Sequence, residues 1–272
     1  MSNAEEYLRK LRLTMGMREG VIQRAIDWLE IPLGSRGLDA GCGEGSLTLM
    51  LAEMVGADGH ITGVDIEPYF LSYAKEQAFG QNMSERVSFE RSDIENLKFA
   101  DGSFDWMWSV DCGCYNCGDH LKVLKEFARV VKPGGFVAAM FYSSQMLLPG
   151  YPELEARLNS TRGGMAPYRR GVNPDSHPFR LMKWFREAGM MEVKADTFVE
   201  TVQAPLTEDM KEALKALIDM RWEGVESELG KGDWNLFQKL INPESAEYIL
   251  DRPDYYGFFT YTVFKARVSQ AN

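Results

Sequence analysis

The residues best placed for chemistry lie in one stretch, Gly37 to Leu51, reading GLDAGCGEGSLTLML. A short apolar strand, Gly37-Leu38-Asp39-Ala40, enters a turn holding Gly41, Gly43 and Gly45, and a helix is expected from Ser46. Glycines let a backbone approach a ligand closely, and a helix N-terminus presents unpaired N–H groups to it. The spacing is G-x-G-x-G. The dinucleotide fingerprint is G-x-G-x-x-G, whose last glycine serves close helix packing, and Ser46 stands there instead. An acid directly before the turn, Asp39, sits badly with a pyrophosphate. It suits a ligand carrying an ammonium or sulfonium charge.

Further chemistry-bearing residues follow at strand ends. Asp65 ends the second strand, where a carboxylate can accept from both hydroxyls of a ribose. Ser92-Asp93-Ile94 follows the third strand; an acid beside an apolar residue there can bond an adenine amino group and pack against its face. The fourth strand ends in Ser109-Val110-Asp111.

The elements that must position these residues alternate. Helices are expected over Glu5–Leu13 and Arg18–Leu29, the second with apolar residues at helical spacing. Then come strand 37–40, helix 46–55, strand His60–Asp65, helix Pro68–Gln81, strand Val87–Glu90 and strand Phe104–Val110. Helix Asp119–Val131 follows, a break at Lys132-Pro133-Gly134-Gly135, and an apolar strand Phe136–Tyr142. This rhythm predicts an α/β, doubly wound, mostly parallel sheet. Beyond it, a loop-rich segment 143–178 contains a short helix Pro152–Asn159. Helix Phe179–Ala188 and strand Met191–Gln203 follow. Helices are expected over Thr207–Leu229, Asn235–Ile241 and Pro243–Leu250, then a last strand, Tyr255–Val268. The core is thus read as 1–204 and 253–272. Residues 205–252 are a helical insertion between the last two strands, a cap or homodimer surface, and 143–178 is a loop-rich lid.

A chain of 272 residues buries roughly three quarters of its unfolded surface. A formal net charge of −10 argues against general binding to nucleic acid or anionic membrane. No apolar run reaches the roughly 20 residues of a membrane span, and MSNAEEYLRK lacks a signal-peptide core. Three of the four cysteines lie within six residues, which is not a disulfide framework; a reduced, cytoplasmic chain is the simpler expectation.

In order, LDAGCGEG, VDIE, SDIENLKFADGSFD and LKEFARVVKPGGFVA resemble the successive motifs of class I S-adenosylmethionine-dependent methyltransferases. The closest likeness is to the small-molecule enzymes that modify ubiquinone and menaquinone precursors. It runs from about Arg18 to Tyr142. The resemblance implies a seven-stranded Rossmann-like fold, S-adenosylmethionine as cofactor and a small, apolar or aromatic acceptor. It assigns Asp39, Gly41, Cys42, Gly43 and Gly45 to the methionine part of the cofactor. Asp65 would hold the ribose, Ile66 and Ile94 would pack on the adenine, Asp93 would hold its edge, and Ser109 would approach the methionine end. Glu67 reads as solvated.

Methyl transfer from a sulfonium needs alignment and water exclusion, and a base only when the acceptor must lose a proton. The loop after the fourth strand, DCGCYNCGDH, should face the transferred methyl. Asp111, Tyr115 and His120 are its candidate bases; each also reads as a loop residue, a cap or a solvated charge, and Asp119 as a cap for the following helix. Cys112, Cys114, Cys117 and His120 have the spacing C-x-C-x-x-C-x-x-H, not that of a common zinc site. Packing as small apolar groups is favoured over metal or arsenite binding, and no metal is expected. Tyr168 and His177 fall in the loop-rich segment. Two other functions compete: an NAD-dependent oxidoreductase, and a non-catalytic protein that keeps the cofactor pocket. No Asn/Asp-Pro-Pro-Tyr motif of amino-methylating DNA enzymes is present.

Overall fold

The computed structural model describes residues 3–114, 119–165 and 174–270. Tyr115, Cys117 and Tyr168 lie outside them. The elements are α1 (Asn3–Leu29), β1 (Arg36–Ala40), α2 (Ser46–Val55), β2 (His60–Asp65), α3 (Pro68–Gly80), β3 (Val87–Arg91), β4 (Phe104–Val110), α4 (His120–Val130) and β5 (Val131–Met146). Then come α5 (Pro152–Asn159), α6 (Leu181–Glu187), β6 (Met191–Gln203), α7 (Glu208–Arg221), α8 (Lys231–Ile241) and β7 (Tyr256–Arg267).

The seven strands form one sheet in the order β3-β2-β1-β4-β5-β7-β6. β1 pairs in parallel with β2 and with β4, β2 with β3, and β4 with β5. The backbone of Gly134 donates to Val268 O and Val268 N donates to Gly135 O, so β7 ends where β5 begins and runs antiparallel to it. The doubly wound, mostly parallel expectation is met. Strand order reverses between β1 and β4, and in such sheets ligands bind at the carboxyl ends of the strands flanking that point.

Two compact units divide the chain. One comprises residues 22–142, 173–197 and 262–272 and holds β1–β4 with their helices. Its core packs Leu38, Val64, Met107, Phe127, Val137, Trp184 and Phe264, all buried. The other comprises 1–21, 143–172 and 198–261. Inside it the buried Glu155 of α5 accepts from the N–H groups of Leu147 and Leu148 at 2.8 and 3.0 Å, and the Tyr255 hydroxyl donates to Leu147 O.

Several elements differ from the expectation. One helix, not two, spans Asn3–Leu29. Gly16 has open space around it and the buried Thr14 hydroxyl donates to Lys10 O, so nothing breaks the turn ladder there. The helix expected over 207–229 stops at Arg221, because Gly224 takes φ +68°, and a 3₁₀ turn at Glu226–Glu228 follows. No helix forms over 243–250; successive three-residue turns lead to a 3₁₀ turn at Ile249–Asp251. β5 begins at Val131, before the Lys132–Gly135 break, since Val131 already pairs with Phe104. Residues 178–180 form a 3₁₀ turn ahead of α6. Among the described residues no helix is long and apolar enough to cross a membrane.

Candidate active site

The glycine turn leans on β2. Gly41 N and Cys42 N both donate to Val64 O, at 2.8 and 2.9 Å. Its three glycines have positive φ, and they differ in what a side chain would meet. A Cβ on Gly41 would collide with Cys112, and one on Gly45 would lie 2.7 Å from Ala74 Cβ. A Cβ on Gly43 would meet nothing within 4 Å. Gly41 and Gly45 are therefore glycine for packing, while Gly43 is where the turn faces open space.

Asp65 sits across that opening. Its Oδ2 accepts from Gly43 N at 2.9 Å and its Oδ1 from Glu67 N at 2.9 Å. Glu67, expected to be solvated, caps α3 by accepting from Tyr69 N. Between them, the apolar Ile66 is 61% exposed. The Ser92 hydroxyl, at the end of β3, is buried without a hydrogen-bond partner, and Ser92 N donates to Asp65 O at 3.2 Å. Asp93 Oδ1 accepts from Glu95 N, and Ile94 packs partly buried against the core.

Asp39 is 1% exposed and accepts from the Thr48 hydroxyl at 2.6 Å. Burial pushes its pKa up to about 7; the Thr48 bond opposes this, and the carboxylates of Asp65 and Glu44 add to it. Glu44 is itself buried and accepts from the Ser46 hydroxyl at 2.6 Å. Three carboxylates thus gather about the glycine turn. Cys42 is buried beside them, and burial raises its thiol pKa, so the thiol stays protonated and unreactive.

The loop after β4 is tied to the same place. Ser109 is fully buried; its hydroxyl donates to Ala40 O at 2.7 Å and accepts from Gly113 N at 2.7 Å. Asp111 takes φ +49° and Cys114 φ +65°, left-handed conformations that cost non-glycine residues energy and recur at functional sites. Asp111 Oδ1 accepts from Tyr142 N at 2.9 Å. The His120 ring stacks on Trp184, with centroids 3.9 Å apart and planes 14° from parallel. Asp119 caps α4 by accepting from Lys122 N. Among the described residues no three His, Cys, Asp or Glu side chains gather as metal ligands. His177 caps the short turn before α6 through its ring nitrogen.

Asp39, the glycine turn, Asp65 and Ser109 are all assembled at the carboxyl ends of β1, β2 and β4. Glu44, Thr48 and Ser92 belong to the same place and were not singled out from sequence for roles of their own. The G-x-G-x-G pattern drew attention to its glycines and hid the acid between them, and Thr48 reads as an ordinary helix residue until its hydroxyl is seen to donate across to Asp39 on β1. S-adenosylmethionine fits this set. Three carboxylates suit its cationic methionine end, open space at Gly43 admits it, the exposed Ile66 offers an apolar face, and the Ser92 hydroxyl lacks a partner.

Residues 38–135 match a family model described as a methyltransferase domain. A demethylmenaquinone methyltransferase of Staphylococcus haemolyticus is 34% identical over 126 residues, 46% of this chain and 51% of the relative. One from Lactobacillus johnsonii is 33% identical over 128 residues, 47% of this chain and 52% of the relative. The chain spans about half the length of the curated relatives it matches. A solved methyltransferase dependent on S-adenosylmethionine from Aquifex aeolicus shares the fold at TM-score 0.52 and 18% identity, covering 71% of this chain and 91% of that one. So does a cyclase, SpnF, at TM-score 0.56 and 19% identity, covering 91% and 82%. The resemblance carried by the motifs is borne out.

Proposed function

We propose that this chain, whose residues 38–135 match a methyltransferase-domain model, is a class I S-adenosylmethionine-dependent methyltransferase that methylates a small, apolar or aromatic molecule. The observation that carries the reading is the acidic glycine turn, in which Gly43 opens to a ligand among Asp39, Glu44 and Asp65. That environment suits a cation and repels a pyrophosphate, which sets the NAD-dependent alternative behind.

When bound, S-adenosylmethionine supplies an electrophilic methyl on sulfur with a neutral thioether as leaving group. The residues of this chain bind, orient and exclude water. Asp39 holds the ammonium of the methionine part, which Gly41, Cys42, Gly43 and Gly45 line. Asp65 accepts from the ribose hydroxyls with lone pairs left over from Gly43 and Glu67. Ile66 and Ile94 pack on the adenine, Asp93 bonds its edge, and the Ser92 hydroxyl lies buried at the same strand end. Ser109 acts through the loops: with its hydroxyl donated to Ala40 and filled by Gly113, it fixes where the acceptor loop leaves the sheet. If the acceptor loses a proton, Asp111 on that loop and His120 at the start of α4 are the described residues to take it, with Tyr115 the third.

The acceptor class rests on the relatives, which are named as methyltransferases of demethylmenaquinone. A reduced, cytoplasmic setting suits the buried thiol of Cys42, and the net charge of −10 disfavours nucleic acid as partner. The helical segment 205–252 serves as a cap or as a homodimer surface; sedimentation gives the mass that decides the second. The experiment for function is turnover of methyl-labelled cofactor with a reduced demethylnaphthoquinone. Labelled, methylated quinol is the expected product. Cofactor binding without turnover on any aromatic acceptor would instead support a non-catalytic or non-methylating protein, a use of this fold that the cyclase makes concrete.

A further inference from the structure

A second cleft lies at the opposite edge of the sheet. β7 ends beside Gly134 and Gly135, at the start of β5, so the last residues of β7 sit at the amino edge of the parallel strands, away from Gly41–Gly45. There a cavity of about 290 Å³ is walled by Trp28 and the end of α1, by the start of β6 and by the end of β7.

The charges in it are arranged unfavourably. Arg267 pairs with Glu192 at 3.0 Å, and the Thr197 and Thr262 hydroxyls meet at 3.0 Å. These two pairs set an antiparallel register in which Lys194 faces Lys265. Like charges directly opposite on neighbouring strands are destabilising. Lys265 is half-buried, its ammonium 4.4 Å from the centre of the Phe136 ring and donating to Leu29 O. Burial lowers its pKa first; Arg267 and Lys194 lower it further, and Glu30 opposes them. No described carboxylate forms an ion pair with either lysine. Asp27, the other acid of the wall, accepts from Gln23. A half-buried cation without a paired anion, facing a second cation, is costly to hold, and the cavity that both line, about 290 Å³, reaches the lower end of small-ligand pocket sizes.

We propose that this cleft is a binding site for a small planar carboxylate, held by Lys194 and Lys265 and stacked on Trp28. One negative charge shared by two ammonium groups relieves their repulsion. Asp27 and Glu30 on the α1 side disfavour a dianion, which selects a carboxylate over a phosphate. Trp28 is the aromatic side chain of the lining, and a planar body is the shape that stacks on an indole. The site is remote from the glycine turn and independent of what binds there.

The test uses the full chain and benzoate as probe, read by ligand-observed NMR and calorimetry, with cyclohexanecarboxylate and inorganic phosphate as comparisons. Benzoate is expected to bind saturably and more tightly than either comparison. Lys194→Met and Lys265→Met should each weaken it by about tenfold or more, the loss of a charged hydrogen bond, and Trp28→Leu should weaken it while leaving S-adenosylmethionine affinity unchanged. Without ligand, Lys194→Met should raise the melting temperature, because a repulsion is removed. Absence of saturable binding, equal binding in the lysine variants, or tighter binding of phosphate overturns the proposal. So does a lower melting temperature for Lys194→Met, which would mean that the lysine is already satisfied within the protein.

Discussion

Asp65 Oδ2 accepts a hydrogen bond from Gly43 N at 2.9 Å, joining the end of β2 to the one glycine of the turn that faces open space. The carboxylate proposed to hold the ribose therefore also shapes the turn proposed to receive the methionine part. Asp65→Ala should weaken S-adenosylhomocysteine binding by about 1–3 kcal/mol, the cost of losing buried polar contacts. Asp65→Asn keeps one acceptor and should fall between it and wild type. Calorimetric affinities equal to wild type in both would remove the ribose assignment.

The glycines separate packing from binding. Gly41→Ala should lower stability by several kcal/mol, since its Cβ meets Cys112 at φ +81°. Gly43→Ala costs only the backbone strain of φ +51°, about 1 kcal/mol; its loss should appear in cofactor affinity. Thermal denaturation of both, set beside their calorimetry, checks the division; the reverse ranking contradicts it.

Asp39 should make cofactor binding depend on pH. A cation beside it favours its ionised form, so S-adenosylmethionine affinity should rise by up to tenfold per pH unit as pH approaches about 7, and level off above. Binding near neutrality should release a proton, seen as calorimetric heats that change with the buffer. Stability has the opposite sign. The folded pKa is raised above the usual 3.8, so the folded state holds the extra proton between those values, and the contribution is lost as pH rises from about 4 through about 7. Displacement from 3.8 to about 7 caps the effect at about 4 kcal/mol. Asp39→Asn should accordingly melt higher than wild type at pH 8 while binding cofactor more weakly.

Ser109→Ala leaves Ala40 O and Gly113 N without their buried partner and should cost about 1–3 kcal/mol. Chemical denaturation measures it. Ser109→Thr keeps the hydroxyl and tests whether the added methyl or the lost bond matters. A neutral Ser109→Ala would mean that the two loops are held together by other contacts.

The strand–turn–helix of the cofactor site was legible because its determinants are local. Gly41 to Gly45, the apolar run before them and Asp65 at the next strand end follow from short spacing and strand period. Residues that join through space were not. Thr48 meets Asp39 only because α2 folds back over β1, and Ser109 reaches Ala40 only because β4 lies beside β1 in the sheet. Helix ends failed where a glycine's context decides. Gly16 sits inside α1 without ending it, while Gly224 at positive φ ends the run that began with α7. The Lys132–Gly135 stretch was read as a break because proline and glycine punctuate chains, yet β4 pairs with Val131 before it. The cleft at Lys194 and Lys265 depends on the register of two strands some seventy residues apart in the chain, which no local pattern encodes.

The most direct measurement is calorimetric titration of the wild-type chain with S-adenosylmethionine, repeated with Gly43→Ala and with NAD. The account predicts saturable binding of one cofactor per chain, lost or strongly weakened in Gly43→Ala, and no binding of NAD. Absence of binding at millimolar cofactor, or preference for NAD, would contradict it.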